Sequence, residues 1–192
     1  MKKKLVVASN NKHKLEEIKY ILADRFELVS MGDIGFREDI IEDGTTFIEN
    51  AFIKARTIHQ KFNCNCFADD SGLIVEALNN EPGVYSARYA GEPVDHDKNI
   101  EKVLLNMQNV SNRNAKFVTV IALILDGEEY YFEGEVLGTI RTERSGNKGF
   151  GYDPIFQPNG YDITFAEMTE QEKNAISHRA RALAQMEMAL PK

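Results

Sequence analysis

Two adjacent carboxylates end an apolar run at Phe67-Ala68-Asp69-Asp70-Ser71-Gly72-Leu73, and a second apolar run, Leu73-Ile74-Val75, follows. A carboxylate at a strand end, beside a glycine that admits close backbone approach, suits a hard cation or an activated water. Strand side chains alternate between faces, so neighbouring aspartates point in opposite directions. One is expected to face a cleft and the other to brace a turn. A polar turn between two strands would show the same residues, and the other polar stretches decide between these readings.

Ser9-Asn10-Asn11-Lys12-His13-Lys14 follows the apolar run Leu5–Ala8 and precedes a helix. A strand, a tight polar turn and a helix start gather backbone N–H groups and Lys14 into a natural anion site. An ordinary helix cap from Asn10 or Asn11 uses the same residues. Residues 31–45 form an irregular acidic stretch with Glu38, Asp39, Glu42 and Asp43. Beside a phosphate site it could supply a metal-ligating carboxylate; otherwise it is a solvated loop. Residues 145–154 hold three glycines, Lys148, Phe150, Tyr152 and Asp153. Aromatics on a glycine-rich loop suit stacking against a base, whereas a plain connector rarely carries two. Lys173, Ser177, His178 and Arg179 lie within the last helical stretch. At about 100° per residue Lys173 and Ser177 share a face and Arg179 points away. All four serve one ligand only if the helix breaks near Ser177, a fair N-cap.

The elements that must position these residues follow from hydrophobic period and turn chemistry. Strands are expected at Lys4–Ala8, Glu27–Ser30, Asn65–Asp69 and Leu73–Ala77, with long strands at Ala115–Leu125 and Tyr130–Thr142 joined by an Asp126-Gly127 hairpin turn. Gly134 and Gly138 mark bends or bulges in the last of these. A helix reaching Leu22 carries Leu15, Ile18, Ile21 and Leu22 at helical spacing. The capping box Thr46-Phe47-Ile48-Glu49 opens a second, to about Lys61, with Phe47, Ile48, Ala51, Phe52, Ala55 and Ile58 inside. Glu49, Asn50 and Lys54 fall off that stripe, and Lys54 taken alone reads as a surface lysine. Asp95–Gln108 is amphipathic. A second capping box, Thr169–Glu172, opens the final helical stretch to about Leu190, with Ile176, Ala180 and Leu183 inside.

The 192 residues suit one domain, or one domain with a lobe, able to bury roughly 70% of the unfolded surface. The net charge of −7 argues against a nonspecific nucleic-acid binder. No apolar run is long enough to span a membrane, and none near Met1 suits a signal peptide. Cys64 and Cys66 have no second pair to complete a zinc site. They are expected reduced and buried in a cytosolic protein, on one face of a strand.

Taken together, four stretches resemble the inosine triphosphate pyrophosphatase family, which hydrolyses non-standard purine nucleoside triphosphates. They are Ser9-x-Asn11-x-x-Lys14, Asp69-Asp70-Ser71-Gly72-Leu73, Gly149-Phe150-Gly151-Tyr152-Asp153-Pro154-Ile155-Phe156 and Lys173-x-x-x-Ser177-His178-Arg179. Gly44-x-Thr46-Phe47-x-Glu49-Asn50-Ala51, Lys54-Ala55 and Pro82–Tyr89 add smaller matches, and the resemblance spans residues 4 to 190. The related Maf-like pyrophosphatases carry a Ser-Pro-Arg-Arg type motif where this chain has Asn-Asn-Lys-His-Lys.

The resemblance implies an α/β fold in which a long mixed sheet floors a cleft between two lobes of a single domain. It implies a cytoplasmic homodimer and Mg²⁺-dependent conversion of ITP, dITP and XTP to the monophosphate and pyrophosphate, with no nucleic acid or membrane as partner. On this likeness Ser9, Asn10, Asn11, Lys12, His13 and Lys14 hold the triphosphate. Glu42 and Asp70 hold Mg²⁺, Asp70 also takes a proton, and Ser71 touches the nucleotide. Phe150, Gly151, Tyr152, Asp153, Lys173, His178 and Arg179 surround the base. The chemistry built from the residues agrees, since Lys14 and Lys54 can neutralise phosphate charge. Donors from His178 and Arg179 would pair with a 6-oxo group and be left unpaired by adenine, at about 1–3 kcal/mol each. The competing readings are a Maf-like pyrophosphatase of other base specificity, a nucleotide binder without turnover, and an interaction protein whose motifs are turns and caps. A binder has no need of Glu42 and Asp70 beside a triphosphate, and turns and caps do not explain four polar stretches at the ends of apolar elements.

Overall fold

The structure, a computed structural model, describes residues 2–22, 24 and 26–190. Strand β1 (Lys3–Val7) leads into α1 (Lys12–Leu22) and then β2 (Phe26–Ser30), which lies parallel to β1 with Leu28 opposite Leu5. Helix α2 (Phe47–Phe62) starts at the Thr46–Glu49 capping box and stops at Asn63, whose left-handed φ of 47° ends the helical ladder. Strand β3 (Cys66–Val75) runs parallel to β1. Helix α3 (His96–Asn106) is capped by Asp95. Strands β4 (Asn114–Leu125) and β5 (Glu128–Ile140) are joined through Asp126 and Gly127, both at positive φ, as a two-residue hairpin turn requires. The short β6 (Phe156–Pro158) pairs antiparallel with β5, and α4 (Glu170–Ile176) and α5 (His178–Ala189) follow. One mixed sheet results, in the order β2-β1-β3-β4-β5-β6.

The chain forms two compact units. The first gathers Met1–Asp70, Thr119–Gly134 and Arg179–Lys192; the second gathers Ser71–Val118 and Glu135–His178. In the first, Leu5, Val7, Phe67, Ile121 and Leu123 pack with Ile18 and Leu22 of α1 and with Ala182, Leu183 and Met186 of α5. Cys66, one residue from Phe67, instead places its Sγ 3.2 Å from the Ala55 carbonyl of α2. The strand alternation thus puts α1 and α5 on one face of β3 and α2 on the other. In the second unit Leu73, Val75, Phe117, Val136 and Ile140 pack with Ile100, Val103 and Met107 of α3 and with Phe156 and Phe165.

Three details differ from the pattern read in the sequence. Strand β3 continues through Asp69-Asp70-Ser71-Gly72 without the expected turn. None of its residues takes a positive φ, and cations from neighbouring helices compensate the carboxylates, so nothing forces the backbone out of the extended state. Gly138 is a point of close approach: it lies opposite Pro158, and a Cβ there would stand 2.3 Å from the Gln157 carbonyl. The inner face of α5 is Ala182, Leu183 and Met186, shifted from Ala180 because the helical stretch restarts after Ser177, at φ −65° and ψ 155°.

Candidate active site

In the first unit the alternation along β3 sends Asp69 and Asp70 to different helices. Asp69 shares the face of Phe67 and meets α1 and α5. It is 1% exposed, and its Oδ2 lies 3.1 Å from Lys14 Nζ and 3.2 Å from Arg179 Nε. Arg179, 1% exposed, also donates through Nη1 to Glu17 of α1. Lys14 and Glu17 are three residues apart and so share a helix face. Burial opposes ionisation of Asp69, but Lys14, Arg179 and Lys54 together outweigh it and hold the carboxyl well below its usual range. Burial lowers the Lys14 ammonium more than Asp69 raises it, and Lys54 and Arg179 lower it further. Arg179 is pushed the other way, since Asp69 and Glu17 overcome its burial.

Asp70 shares the face of Cys66 and meets α2. Lys54 Nζ stands 3.7 Å from Asp70 Oδ1 and 2.7 Å from Glu42 Oε2. Lys54 is therefore a buried lysine, 8% exposed. The surface position suggested by its place off the apolar stripe is corrected: two carboxylates neutralise its charge, which permits burial. Burial lowers the Lys54 ammonium, but Asp70, Glu42 and Asp69 raise it further. The Asp70 carboxyl is pushed up by its burial and by the charges of Glu42 and Asp69, against the pull of Lys54 and Lys14.

The turn before α1 holds the helix cap read from its sequence. The Lys14 N–H donates to Asn11 Oδ1 at 3.2 Å, so Asn11 caps the first turn, and the Asn11 N–H donates to Ser9 Oγ at 3.2 Å. Asn10, Lys12 and His13 are exposed, and Ser9, Asn11 and Lys14 are half-buried. The helix begins at Lys12, so Lys12, His13 and Lys14 form its first turn, where the helix dipole favours an anion.

The second unit holds the remaining candidates. Asp153, buried, accepts Lys173 Nζ at 2.7 Å and the Phe150 N–H at 2.9 Å through Oδ2. Gly149, at φ +69°, makes this possible, since a Cβ there would stand 2.0 Å from that oxygen. Lys173 Nζ lies 4.9 Å from the Phe150 ring centre, a cation–π distance. Tyr152 is turned into the core, its hydroxyl donating to the Ser86 carbonyl at 2.7 Å, so it anchors the loop and leaves Phe150, half-buried, as the ring able to stack. His178 is buried, with its ring stacked on Phe117 at 4.8 Å and 12°. Ser71 and Gly151 are half-buried in the same unit. Arg179, placed with the base residues by resemblance, instead donates to Glu17 and Asp69 within the first unit.

The donor set suits a hard cation. Glu42 and Asp70 both approach Lys54 Nζ, so two carboxylates converge where positive charge is already accepted. Among the described residues no three His, Cys, Asp or Glu side chains gather to hold a metal. Two carboxylates, with phosphate oxygens and waters completing an octahedron, are the coordination Mg²⁺ favours.

A sequence profile described as the Ham1 family matches residues 5–189. The chain belongs to the Ham1 family. It is 52% identical over 184 residues to the dITP/XTP pyrophosphatase of Porphyromonas gingivalis, covering 95% of both chains. It is 49% identical over 183 residues to the protein of that name from Flavobacterium johnsoniae, with 95% of each covered. Among solved structures it resembles the Ham1 protein of Staphylococcus aureus (TM-score 0.88, 42% identity, 97% of each chain covered). It likewise resembles a Ham1 protein of Coxiella burnetii (TM-score 0.89, 41% identity, 97% of each). In this Ham1 chain three positions escaped the reading of the sequence: Glu17, the partner of Arg179; Asn50, buried beside the acidic loop; and Asp69 as the centre of an ion cluster. The i, i+3 pair Lys14/Glu17 flanking Ile18 was the available signal for the first.

Proposed function

We propose that this chain hydrolyses non-standard purine nucleoside triphosphates, dITP and XTP together with ITP, to the monophosphate and pyrophosphate, with Mg²⁺, as a cytoplasmic homodimer. The observation that carries the reading is the pair of carboxylates, Glu42 and Asp70, set about the buried Lys54. A triphosphate site without a metal would gain nothing from them. The names of relatives similar to this chain over most of its length support the substrate class.

Glu42 and Asp70 would hold Mg²⁺, which when bound neutralises phosphate charge and so favours departure of pyrophosphate. Lys14 and Lys54 contribute fixed positive charge to the phosphates, and the first turn of α1 contributes N–H donors. A water oxygen attacks the α-phosphorus; its bond to the bridging oxygen breaks, pyrophosphate leaves, and the water's proton passes to an Asp70 carboxylate oxygen. A carboxyl raised above its usual range is better matched to that proton transfer. In the second unit the Phe150 ring stacks on the purine. His178 and the Gly151 and Tyr152 amides offer donors to the 6-oxo group, since Arg179 is engaged with Glu17 and Asp69 and the Phe150 amide with Asp153. Adenine presents an amino donor there and is disfavoured. The net charge of −7 suits a small-molecule substrate over nucleic acid. No helix among the described residues is long and apolar enough to cross a membrane.

Incubation with dITP, XTP, ITP, ATP and GTP in the presence of Mg²⁺, followed by product identification, tests the proposal. Pyrophosphate from the first three, with ATP spared, is expected. A diphosphate and orthophosphate would contradict it.

A further inference from the structure

We propose that Asn50 is a positioning residue for Glu42, and that α2 grips the acidic loop at two points one helical turn apart. The inference rests on the proposed function, in which Glu42 is one of the two carboxylates that hold Mg²⁺. Asn50 and Lys54 are four residues apart and project from one face of α2. Both are buried, although neither belongs to the apolar stripe of that helix. Lys54 takes the Glu42 carboxylate itself. Asn50, 2% exposed, takes the backbone two residues further on, its Oδ1 accepting the Gly44 N–H at 2.9 Å.

The contact is built for glycine. A Cβ at position 44 would stand 2.6 Å from Asn50 Oδ1 and 2.7 Å from Glu49 Cβ. Removal of that Cβ is what lets the loop backbone come down onto the helix. The neighbouring bonds have a separate explanation. Glu49 Oε2 accepts the Thr45 N–H at 2.7 Å, the Thr45 hydroxyl at 2.9 Å and the Thr46 N–H at 3.1 Å, largely the business of the capping box. Starting the helix does not require Asn50. Its one bond to the loop reaches past the cap toward Glu42, and a buried amide so placed fixes where that carboxylate stands. Outer partners that orient a metal-binding carboxylate typically matter about 10–100-fold in affinity or activity.

The test uses Asn50→Ala, Asn50→Asp and Gly44→Ala in the full chain. Three quantities are read: amide exchange over residues 40–46, Mn²⁺ affinity without nucleotide by electron paramagnetic resonance, and dITP turnover. Asn50→Ala is expected to speed loop exchange and weaken Mn²⁺ binding about tenfold, and to lower kcat about tenfold or more with KM within about threefold. Asn50→Asp keeps an oxygen for the Gly44 N–H and should recover most of the loss. Gly44→Ala disturbs the same contact from the loop side and should reproduce Asn50→Ala, which covers the case of an Asn50→Ala chain that fails to fold. Wild-type exchange, Mn²⁺ affinity and kcat in Asn50→Ala and Gly44→Ala, with only a lower Tm, would overturn the inference and leave Asn50 a core residue. A wild type that binds no Mn²⁺ even with a non-hydrolysable dITP analogue present overturns the metal assignment of Glu42 and Asp70 instead; loop exchange and kcat in the variants then decide the role of Asn50 by themselves.

Discussion

Asp69 and Asp70 are covalent neighbours with opposite duties. Asp69 is locked between Lys14 and Arg179, and its neutralisation takes a carboxylate charge from half-buried Lys14 and from buried Arg179, which keeps only Glu17 among its charged partners named above. Asp69→Asn is therefore expected to cost about 3–5 kcal/mol of stability, the range for breaking a buried ion pair from one side. Arg179→Ala should behave alike, lowering stability and turnover of dITP and ATP together. Asp70→Asn keeps the shape, removes the proposed proton acceptor, and should reduce kcat by about 10²–10⁴ with little change in the denaturation midpoint. Urea titrations beside steady-state rates separate the two; a stability loss in Asp70→Asn matching that of Asp69→Asn would reverse the assignment. Phe150 tests a different contact. Phe150→Ala should weaken dITP and ATP by a similar factor, about 1–3 kcal/mol of stacking, because every purine has the same π-face. Measured kcat/KM ratios for dITP over ATP should stay near the wild-type value, and a collapsed ratio would make the loop backbone around Phe150 the reader of the base edge.

At the scale of elements, the strands and helices were legible because their signals are local. The Asp126-Gly127 turn and both capping boxes were written in short-range chemistry, whereas the restart at Ser177 was read only as a condition for its neighbours to share one ligand. What was not legible depended on partners far along the chain. Asp69-Asp70-Ser71-Gly72 reads as a turn until Lys14, Arg179 and Lys54 are known to neutralise it inside β3. Lys54 reads as surface, and Asn50 as off the stripe, because an apolar stripe cannot announce an acidic loop folded against its helix. The contact of β3 with α2 also yields a pH prediction. Burial, with Cys64 nearby, pushes the Cys66 thiol up to about 12, above the roughly 8.5 of an unfolded thiol. Below about pH 8.5 both states keep the proton and the stability difference is unaffected. Between that value and about 12 the unfolded chain loses a proton that the folded chain retains, so stability falls as pH rises, by at most about 1.4 kcal/mol per pH unit from this group. Denaturation at pH 8 and pH 10.5 should show a steeper loss in wild type than in Cys66→Ala. Equal losses would remove Cys66 from the alkaline transition.

For the whole molecule, net charge argued against a nonspecific nucleic-acid binder, and the motifs in order pointed to the family. The boundary between the two units escaped the sequence for a physical reason. Each is assembled from separated segments, with β3, β4 and β5 passing from one to the other, so no linker marks a boundary. A homodimer should sediment at twice 21.7 kDa at micromolar concentration, and a single species at 21.7 kDa would contradict that part of the proposal. In the proposed reaction water attacks the α-phosphorus of a non-standard purine triphosphate. Hydrolysis of dITP in ¹⁸O-enriched water with Mg²⁺, followed by mass spectrometry of both products, tests it directly. The label is predicted in dIMP, with pyrophosphate unlabelled; label in pyrophosphate, or dIDP and orthophosphate as the products, would contradict it.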